Sequence, residues 1–206
     1  MAEDFEKYFR GARLTTNWAA RNYDQWADLL APQRDQPLRI VEVGAWEGRS
    51  ALFFLNYLPR STIVCIDTFE GSIEHRNWPA WRRWWQLAKI ESRFRGNVAP
   101  FGSRVETIKS DSRSALAGLK LAGRSFDFAY IDGSHLAADV YSDALLGWQI
   151  LDEGGLMVFD DYQRRQGPER DWPSVGIDAF LASVSGEYEE IFRNYQVAVR
   201  KTISAA

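Results

Sequence analysis

Short apolar runs alternate with helical patterns along most of the chain. A β-branched run that starts at Ile40 and ends at Gly44 predicts a buried parallel strand, and the apolar run 51–58 predicts a helix that crosses back over it. The same alternation predicts strands at 61–66, 104–109, 126–131 and 156–159, and helices at 113–120, 136–148 and 175–184. Two further strands, 188–192 and 195–201, flank a turn at Asn194. The pattern therefore predicts an α/β fold with a mostly parallel sheet, helices on both faces and a C-terminal antiparallel hairpin.

The N-terminal residues show helical spacing before the first strand. Apolar side chains recur on one face at Phe5, Tyr8 and Phe9, and again at Trp26, Leu29 and Leu30. Prolines 32 and 37 end the pattern. We predict an N-terminal helical segment, residues 1–37, packed on a core domain of residues 38–206. Packing on the core and contact with a second copy of the chain are both consistent with these faces.

The region 78–94 is rich in tryptophan and arginine. Trp78, Trp81 and Trp85 recur at helical spacing, so that one helix face is aromatic while the arginines lie elsewhere. This face suits a helix packed on the sheet or on a partner subunit. A lid over an aromatic or sugar-containing substrate would have the same composition.

Composition narrows the class of protein. A chain of 206 residues, 46% hydrophobic and 26% charged, predicts one globular domain. A net charge of −3 without a basic block argues against nucleic acid as the partner. We find no signal-peptide or membrane-spanning pattern, and Cys65, the single cysteine, is expected to be a buried, inert thiol. These features predict a cytoplasmic protein that does not bind membranes; a homo-oligomer is compatible with them.

The loop after the first strand contains two glycines and follows an acid. Gly44 and Gly48 permit a sharp turn and a close approach to a ligand at the start of the next helix. Their spacing differs from the G-x-G-x-x-G fingerprint of dinucleotide-binding proteins. Glu42 lies within the strand, so its carboxylate needs a partner, which we expect to be a backbone N–H group of the loop or a cationic ligand.

Two more acids follow the next strands. Asp67 ends the second strand, where a carboxylate can hold the hydroxyls of a ribose. A dehydrogenase would also have an acid at this position, so Asp67 indicates a nucleoside and not a reaction. Asp111 follows the third strand and is positioned to cap the helix after it.

Three carboxylates are predicted to meet at one edge of the sheet. Asp132 follows the fourth strand, and Asp160 and Asp161 follow the fifth. Such a group is repulsive unless a cation neutralises it, and hard oxygen ligands suit Mg²⁺. The alternative is that these acids cap helices and position ligands. His135, three residues after Asp132, is suited to take a proton near neutral pH.

The sequence resembles class I S-adenosylmethionine (SAM) methyltransferases. The pattern E-x-G-x-x-x-G followed by Ser50 resembles their motif I, especially in catechol-type O-methyltransferases. The segment 67–75 is similar to the corresponding loop of small bacterial SAM methyltransferases, and the three acids resemble the metal site of catechol-type and macrolide-sugar enzymes. The last acid is an amide in the catechol enzymes. The resemblance, over about 38–201, implies a seven-stranded Rossmann-like fold and SAM contacts from Glu42, Gly44, Ala45, Trp46, Gly48, Ser50, Asp67, Asp111 and Asp132.

The resemblance also implies a reaction, which is O-methylation of a small hydroxylated acceptor such as a sugar, phenol or natural product. Mg²⁺ at Asp132, Asp160 and Asp161 would assist it, and His135 occupies the position of the lysine base in catechol-type enzymes. Asp132 would thus belong to both the catalytic and metal groups. His75 is an alternative base, and the N-terminal helices would wall the substrate pocket. An NAD-type oxidoreductase and a non-catalytic SAM-binding module remain the alternatives.

Overall fold

The protein is built on one seven-stranded sheet, seen in a computed structural model that describes residues 3–72, 75 and 79–202. The strand order is β3-β2-β1-β4-β5-β7-β6. The strands are β1 Arg39–Val43, β2 Thr62–Asp67, β3 Val105–Lys109, β4 Phe126–Ile131, β5 Leu151–Phe159, β6 Tyr188–Arg193 and β7 Val197–Lys201. The first five run parallel, and β7 pairs antiparallel with both β5 and β6. This topology confirms the predicted fold.

Seven α-helices accompany these strands within the described residues. They are α1 Tyr23–Leu30, α2 Arg49–Tyr57, α3 Ala80–Gln86, α4 Ile90–Val98, α5 Ser112–Leu121, α6 Ala137–Ile150 and α7 Pro173–Ser183. The first predicted N-terminal helix is instead a short 3-10 helix, Phe5–Phe9. A second 3-10 helix, Trp18–Asn22, leads directly into α1. Within the described residues, no helix is both long and apolar enough to cross a membrane.

Both faces of the sheet are covered because its central strands alternate between two apolar cores. In β4, Phe128 and Tyr130 point to the core that contains α2, whereas Ala129 and Ile131 point to the core formed with α5, α6 and α7. The acids predicted to carry the chemistry lie outside these cores, near the strand ends. They follow the last apolar residue of each strand, at the carboxyl edge of the sheet.

The N-terminal segment packs on the first core. Trp26 of α1 is fully buried, and its indole Nε1 donates a hydrogen bond of 2.9 Å to Oε1 of Gln196 in the C-terminal hairpin. Phe5 stacks edge-on against Phe53 of α2, with ring centroids 5.3 Å apart. The division of the chain into an N-terminal segment, residues 1–37, and a core domain, residues 38–206, stays a prediction.

The tryptophan-rich region forms α3, a 3-10 turn and α4. Trp81 is 71% exposed and Trp85 is 49% exposed, so the expectation that this stripe packs on the sheet is wrong for these two side chains. Polar contacts hold the C-terminal end of α3, because Arg93 of α4 donates hydrogen bonds to the carbonyl oxygens of Trp85 and Gln86. Trp78 lies outside the described residues.

The predicted turn before the last parallel strand is present as an interruption of the pairing. Residues 152–155 lie within β5, but the pairing with β4 passes directly from Leu151 to Leu156. Gly154 has a φ of +78° and supplies the local reversal. The strand then continues to Phe159, and Asp160 and Asp161 follow directly after its end.

Candidate active site

A cavity of about 940 Å³ lies along the carboxyl ends of the central strands. Of the twelve residues predicted as SAM contacts, metal ligands or the first-choice base, eight line it, namely Gly44, Trp46, Asp67, Asp111, Asp132, His135, Asp160 and Asp161. The other four, Glu42, Ala45, Gly48 and Ser50, are buried behind the wall. The structure thus brings the predicted acids together and gives those four a supporting position.

Gly44 allows two strand-end loops to touch. Its φ is +90°, and a Cβ atom there would lie 1.9 Å from the carbonyl oxygen of Asp132. The N–H of Asp132 in turn donates to the carbonyl oxygen of Val43 at 2.8 Å. Only glycine fits between these backbones, so the loops after β1 and β4 form one wall.

Glu42 is fully buried and bonded inside the protein. The Ser50 hydroxyl of α2 donates to its Oε1, and the Cys65 thiol donates to its Oε2 at 3.2 Å. The prediction of a backbone or ligand partner is therefore wrong, because β2 places Cys65 directly opposite Glu42 and α2 places Ser50 above it. Burial raises the pKa of Glu42 to about 7, although both hydrogen bonds oppose this rise.

Asp67 holds the loop that faces it. The backbone N–H of Trp46 donates to its Oδ2 at 2.7 Å, and that of Phe69 donates to its Oδ1 at 2.6 Å. Trp46 and Phe69 both have positive φ, +49° and +58°, so these bonds fix two strained positions. Burial raises the pKa of Asp67 in spite of them. A carboxylate has about four acceptor positions, so these bonds do not exhaust its capacity to accept from a ligand.

Asp111 caps a helix, as predicted, and also lies at the cavity. It caps α5 by accepting the Ser114 N–H at 2.9 Å, which lowers its pKa, and it also lines the cavity. Ser112 beside it donates to Oδ1 of Asp143 at 2.6 Å. Asp143 is a buried acid of α6 that sequence analysis missed. Nothing in the helical pattern around it indicates that it is buried or that Ser112 is its partner.

The acids at the ends of β4 and β5 surround one buried phenol. The Tyr130 hydroxyl donates to Oδ2 of Asp160 at 2.8 Å and lies 3.4 Å from Oδ2 of Asp132. Gln196 Nε2 donates to Oδ1 of Asp160 at 3.1 Å. Burial, followed by the negative charges of Asp160 and Asp161, raises the pKa of Asp132 well above its ordinary value. Burial and Asp161 likewise raise the pKa of Asp160.

His135 pairs with the second acid of the β5 pair. Its Nε2 lies 2.8 Å from Oδ2 of Asp161, and the Tyr195 hydroxyl donates to Oδ1 of the same carboxylate. Burial opposes ionisation of Asp161, but the bond to His135 and then that to Tyr195 hold its pKa below the ordinary value. A guanidinium nitrogen of Arg164 also lies 3.8 Å from Oδ2 of Asp161, so one basic side chain of the protein stands beside the acids.

Three of these side chains form a compact donor set. One ligand atom each from Asp132, His135 and Asp161 all lie within 4.8 Å of one another, which fits a divalent cation. The set differs from the predicted Asp132, Asp160 and Asp161, because Tyr130 and Gln196 hold the Asp160 carboxylate beside it. All four side chains line the same cavity.

His75, the alternative base, is bonded to its own loop. Its Nδ1 accepts the Ser72 N–H at 2.8 Å, so a neutral imidazole carries its proton on Nε2. The ring lies against Trp46, with centroids 4.9 Å apart. The N-terminal segment completes the wall with Trp18 and Arg21, which sequence analysis did not single out.

The chain is similar to known proteins in sequence and in fold. Residues 41–162 match the family model described as "Methyltransferase domain". An uncharacterised protein of Acanthamoeba polyphaga mimivirus is 27% identical over 143 residues, which are 67% of this chain and 58% of that protein. The chain therefore spans little more than half the length of this relative.

Solved structures of methyltransferases share the fold. MycE from the mycinamycin biosynthetic pathway, in complex with Mg, SAH and mycinamycin VI, has a TM-score of 0.63 at 19% identity, over 96% of this chain and 53% of its own. The O-methyltransferase NovP has a TM-score of 0.62 at 18% identity, over 89% and 79%. The O-methyltransferase TomG of Streptomyces achromogenes, in complex with SAM, has 0.63 at 18%, over 98% and 92%.

The family match covers more than half of the chain, from the β1 glycine loop to the acidic pair after β5. It therefore includes both loops that meet at Gly44 and Asp132. On this evidence the chain belongs to the methyltransferase domain family.

Proposed function

We propose that this protein transfers the methyl group of SAM to a hydroxyl oxygen of a small acceptor, assisted by a divalent cation. The observation that carries this proposal is the placement of Asp67 and the Asp132–His135–Asp161 set in one cavity. The first is suited to a ribose and the second to the activation of a hydroxyl. The SAM and Mg–SAH complexes of TomG and MycE support the same donor and cation.

The donor end of the cavity fits a nucleoside. Asp67 offers two carboxylate oxygens whose orientation is fixed by backbone N–H groups, which suits a pair of ribose hydroxyls. Asp111, on the neighbouring strand end, is placed to accept from the exocyclic amine of an adenine. A cavity of about 940 Å³ has room for a donor and a small acceptor together.

The acceptor end fits Mg²⁺. Magnesium prefers oxygen ligands, whereas imidazole suits zinc and other transition metals, so we assign the cation to the carboxylates of Asp132, Asp160 and Asp161. This assignment leaves His135 for proton transfer. A bound cation would lower the pKa of an acceptor hydroxyl beside it and offset the repulsion among the three acids.

The protein's own residues then supply orientation and a base. His135 donates from Nε2 to Asp161 in its neutral form, so its Nδ1 carries the basic lone pair. Tyr195 fixes Asp161, and Asp161 in turn fixes the imidazole. His135 takes the hydroxyl proton as the acceptor oxygen attacks the methyl carbon in line with the departing sulfur. The products are a methyl ether, S-adenosylhomocysteine (SAH) and one proton held on His135.

The oxidoreductase alternative has less support in the structure. The β1 loop lacks the pyrophosphate fingerprint, and the β6–β7 hairpin ends the sheet antiparallel. We therefore expect SAM and SAH, but not NAD, to raise the melting temperature. A stabilisation by NAD alone would favour the oxidoreductase.

Metal dependence tests the acceptor end. Chelator should abolish methyl transfer and leave SAH binding intact, and Mg²⁺ or Mn²⁺ should restore the activity. Asp132→Asn should remove this restoration, whereas Asp152→Asn, in the Arg39 ion-pair group at the opposite edge of the sheet, should keep it. Full activity in chelator would refute the requirement for a metal. Restoration of activity only by Zn²⁺, Co²⁺ or Ni²⁺ would indicate that His135 is a metal ligand.

A further inference from the structure

The 3-10 helix Trp18–Asn22 forms part of the cavity wall, and the proposed reaction does not use it. Three of its residues, Trp18, Ala19 and Arg21, line the cavity. They face the same space as the acid cluster and come from the N-terminal segment. Their side chains are an indole and a guanidinium, which recognise ligands in different ways.

Trp18 presents an open aromatic surface to the cavity. It is 51% exposed, although its ring lies 5.4 Å from the Trp46 ring and 6.4 Å from His75, the latter pair nearly parallel at 13°. The contacts orient the indole and leave about half of the residue's surface exposed. Aromatic rings stack favourably at such centroid distances.

Arg21 is held by stacking. Its guanidinium carbon lies 4.3 Å from the centre of the Tyr195 ring, and no carboxylate of the described residues forms an ion pair with it. Stacking covers one face of the guanidinium and leaves the edge with its N–H donors. That edge matches the two oxygens of a carboxylate.

The other arginines of the wall already have protein partners. Arg49 donates to the Thr16 carbonyl oxygen and to the Tyr23 hydroxyl. Arg113 forms an ion pair with Asp139, and Arg164 lies beside Asp161. Within the described part of the wall, Arg21 is thus the arginine placed to receive an acidic group from a ligand.

Tyr195 connects this arginine to the proposed reaction centre. Its ring supports Arg21, while its hydroxyl donates to Asp161. A ligand carboxylate at Arg21 and a ligand hydroxyl at the acids would therefore be separated by about one aromatic side chain.

We propose that the acceptor is a hydroxylated aromatic acid, whose ring stacks on Trp18 and whose carboxylate pairs with Arg21. This inference rests on the proposed function, which it makes more specific by naming the acceptor class. It predicts that affinity depends on the charge of the acceptor and on the flatness of its ring.

Two probes isolate the charge. Protocatechuate, a dihydroxybenzoate, and its neutral amide share one ring and both hydroxyls, and each is titrated calorimetrically into the full-length protein with Mg²⁺ and saturating SAH. We expect the acid to bind at least about tenfold more tightly, the usual range for a charge-assisted pair. Arg21→Gln should bring the two affinities together. Arg165→Gln should keep the preference, since Arg165 also stacks on an aromatic ring, that of Trp172 at 4.6 Å, but does not line the cavity.

A second pair of variants isolates the ring. Trp18→Leu should weaken both probes by a similar factor, about tenfold. Trp81→Leu, which removes an exposed tryptophan outside the cavity wall, should leave both affinities unchanged. Unchanged SAH affinity in each variant shows that the donor site is intact.

The outcomes separate this inference from the proposed function. Equal binding of acid and amide to the parent, no binding of either, or an acid preference that survives Arg21→Gln would overturn the acceptor class. The same titrations without SAH measure the preference independently of the donor. Failure of SAM and SAH to bind would overturn the proposed function, whatever the probes show.

Discussion

Glu42→Gln should change how the stability of this protein depends on pH. Glu42 has no exposed surface, and its two partners, Ser50 and Cys65, donate hydrogen bonds to it. Glutamine keeps the size of the side chain and an acceptor oxygen, and it cannot ionise. The substitution therefore removes mainly the cost of a buried negative charge.

The magnitude follows from the pKa of Glu42. A rise from 4.5 to about 7 corresponds to about 3 kcal/mol, at roughly 1.4 kcal/mol per pH unit. Between these values the folded state holds a proton that the unfolded state has lost, so stability falls as pH rises through this window. The loss is complete above about pH 7. Because the glutamine variant lacks this loss, its stability relative to the parent should improve by about 3 kcal/mol from pH 4.5 to pH 8.

Urea denaturation across this pH range, in chelator and without SAM, measures the effect. The quantity of interest is the difference in unfolding free energy between variant and parent at each pH, because the other buried acids then cancel. Glu169→Gln, at an exposed position of the short 3-10 helix Glu169–Asp171, controls for the loss of one carboxyl group. A variant-minus-parent difference that stays constant over the range would refute the argument that Glu42 ionises at a cost inside the core.

Three further predictions concern the site. Asp67→Ala should raise the Kd for SAH roughly tenfold to a hundredfold in calorimetry, by removing charge-assisted bonds to the ribose; an unchanged Kd would exclude that role. His135→Gln should lower kcat about 10²- to 10⁴-fold with metal affinity nearly unchanged, whereas a metal ligand would lose the metal. Gly44→Ala should cost more than about 3 kcal/mol in denaturation, since its Cβ has no space, while Gly11→Ala, also at positive φ but with no atom within 4 Å, should cost about 1–2 kcal/mol.

The sheet was predictable from sequence because each central strand is a short apolar run with an acid or glycine at its end. Ile131 is followed by Asp132, and Phe159 is followed by Asp160, so hydrophobicity marks both the strand and the place where it leaves the core. Parallel pairing then brings those ends together without any further information. This is why the acids of the cavity were found from sequence, although their individual partners were not.

Partners from distant parts of the chain could not be predicted in this way. Tyr130 reads as one more apolar residue of β4, yet its hydroxyl lies between Asp132 and Asp160. Gln196 lies near the start of the predicted strand 195–201 and carries no signal of a partner, yet it contacts Asp160 and Trp26, which lie 36 and 170 positions away. A spacing pattern describes one element at a time, whereas these contacts depend on how several elements pack.

Glu47 of the β1 loop is a further residue whose contacts lie in distant parts of the chain. It lies in the motif that resembles the SAM-binding loop, but it is buried away from the cavity and accepts from the Thr15 N–H at 2.6 Å and the Thr15 hydroxyl at 2.8 Å. Arg93 of α4 pairs with the same carboxylate at 2.5 Å. Thr15 immediately precedes the wall residues of the N-terminal segment, including Trp18. The loop after β1 therefore also anchors, through the Glu47 carboxylate, the N-terminal wall that we propose holds the acceptor.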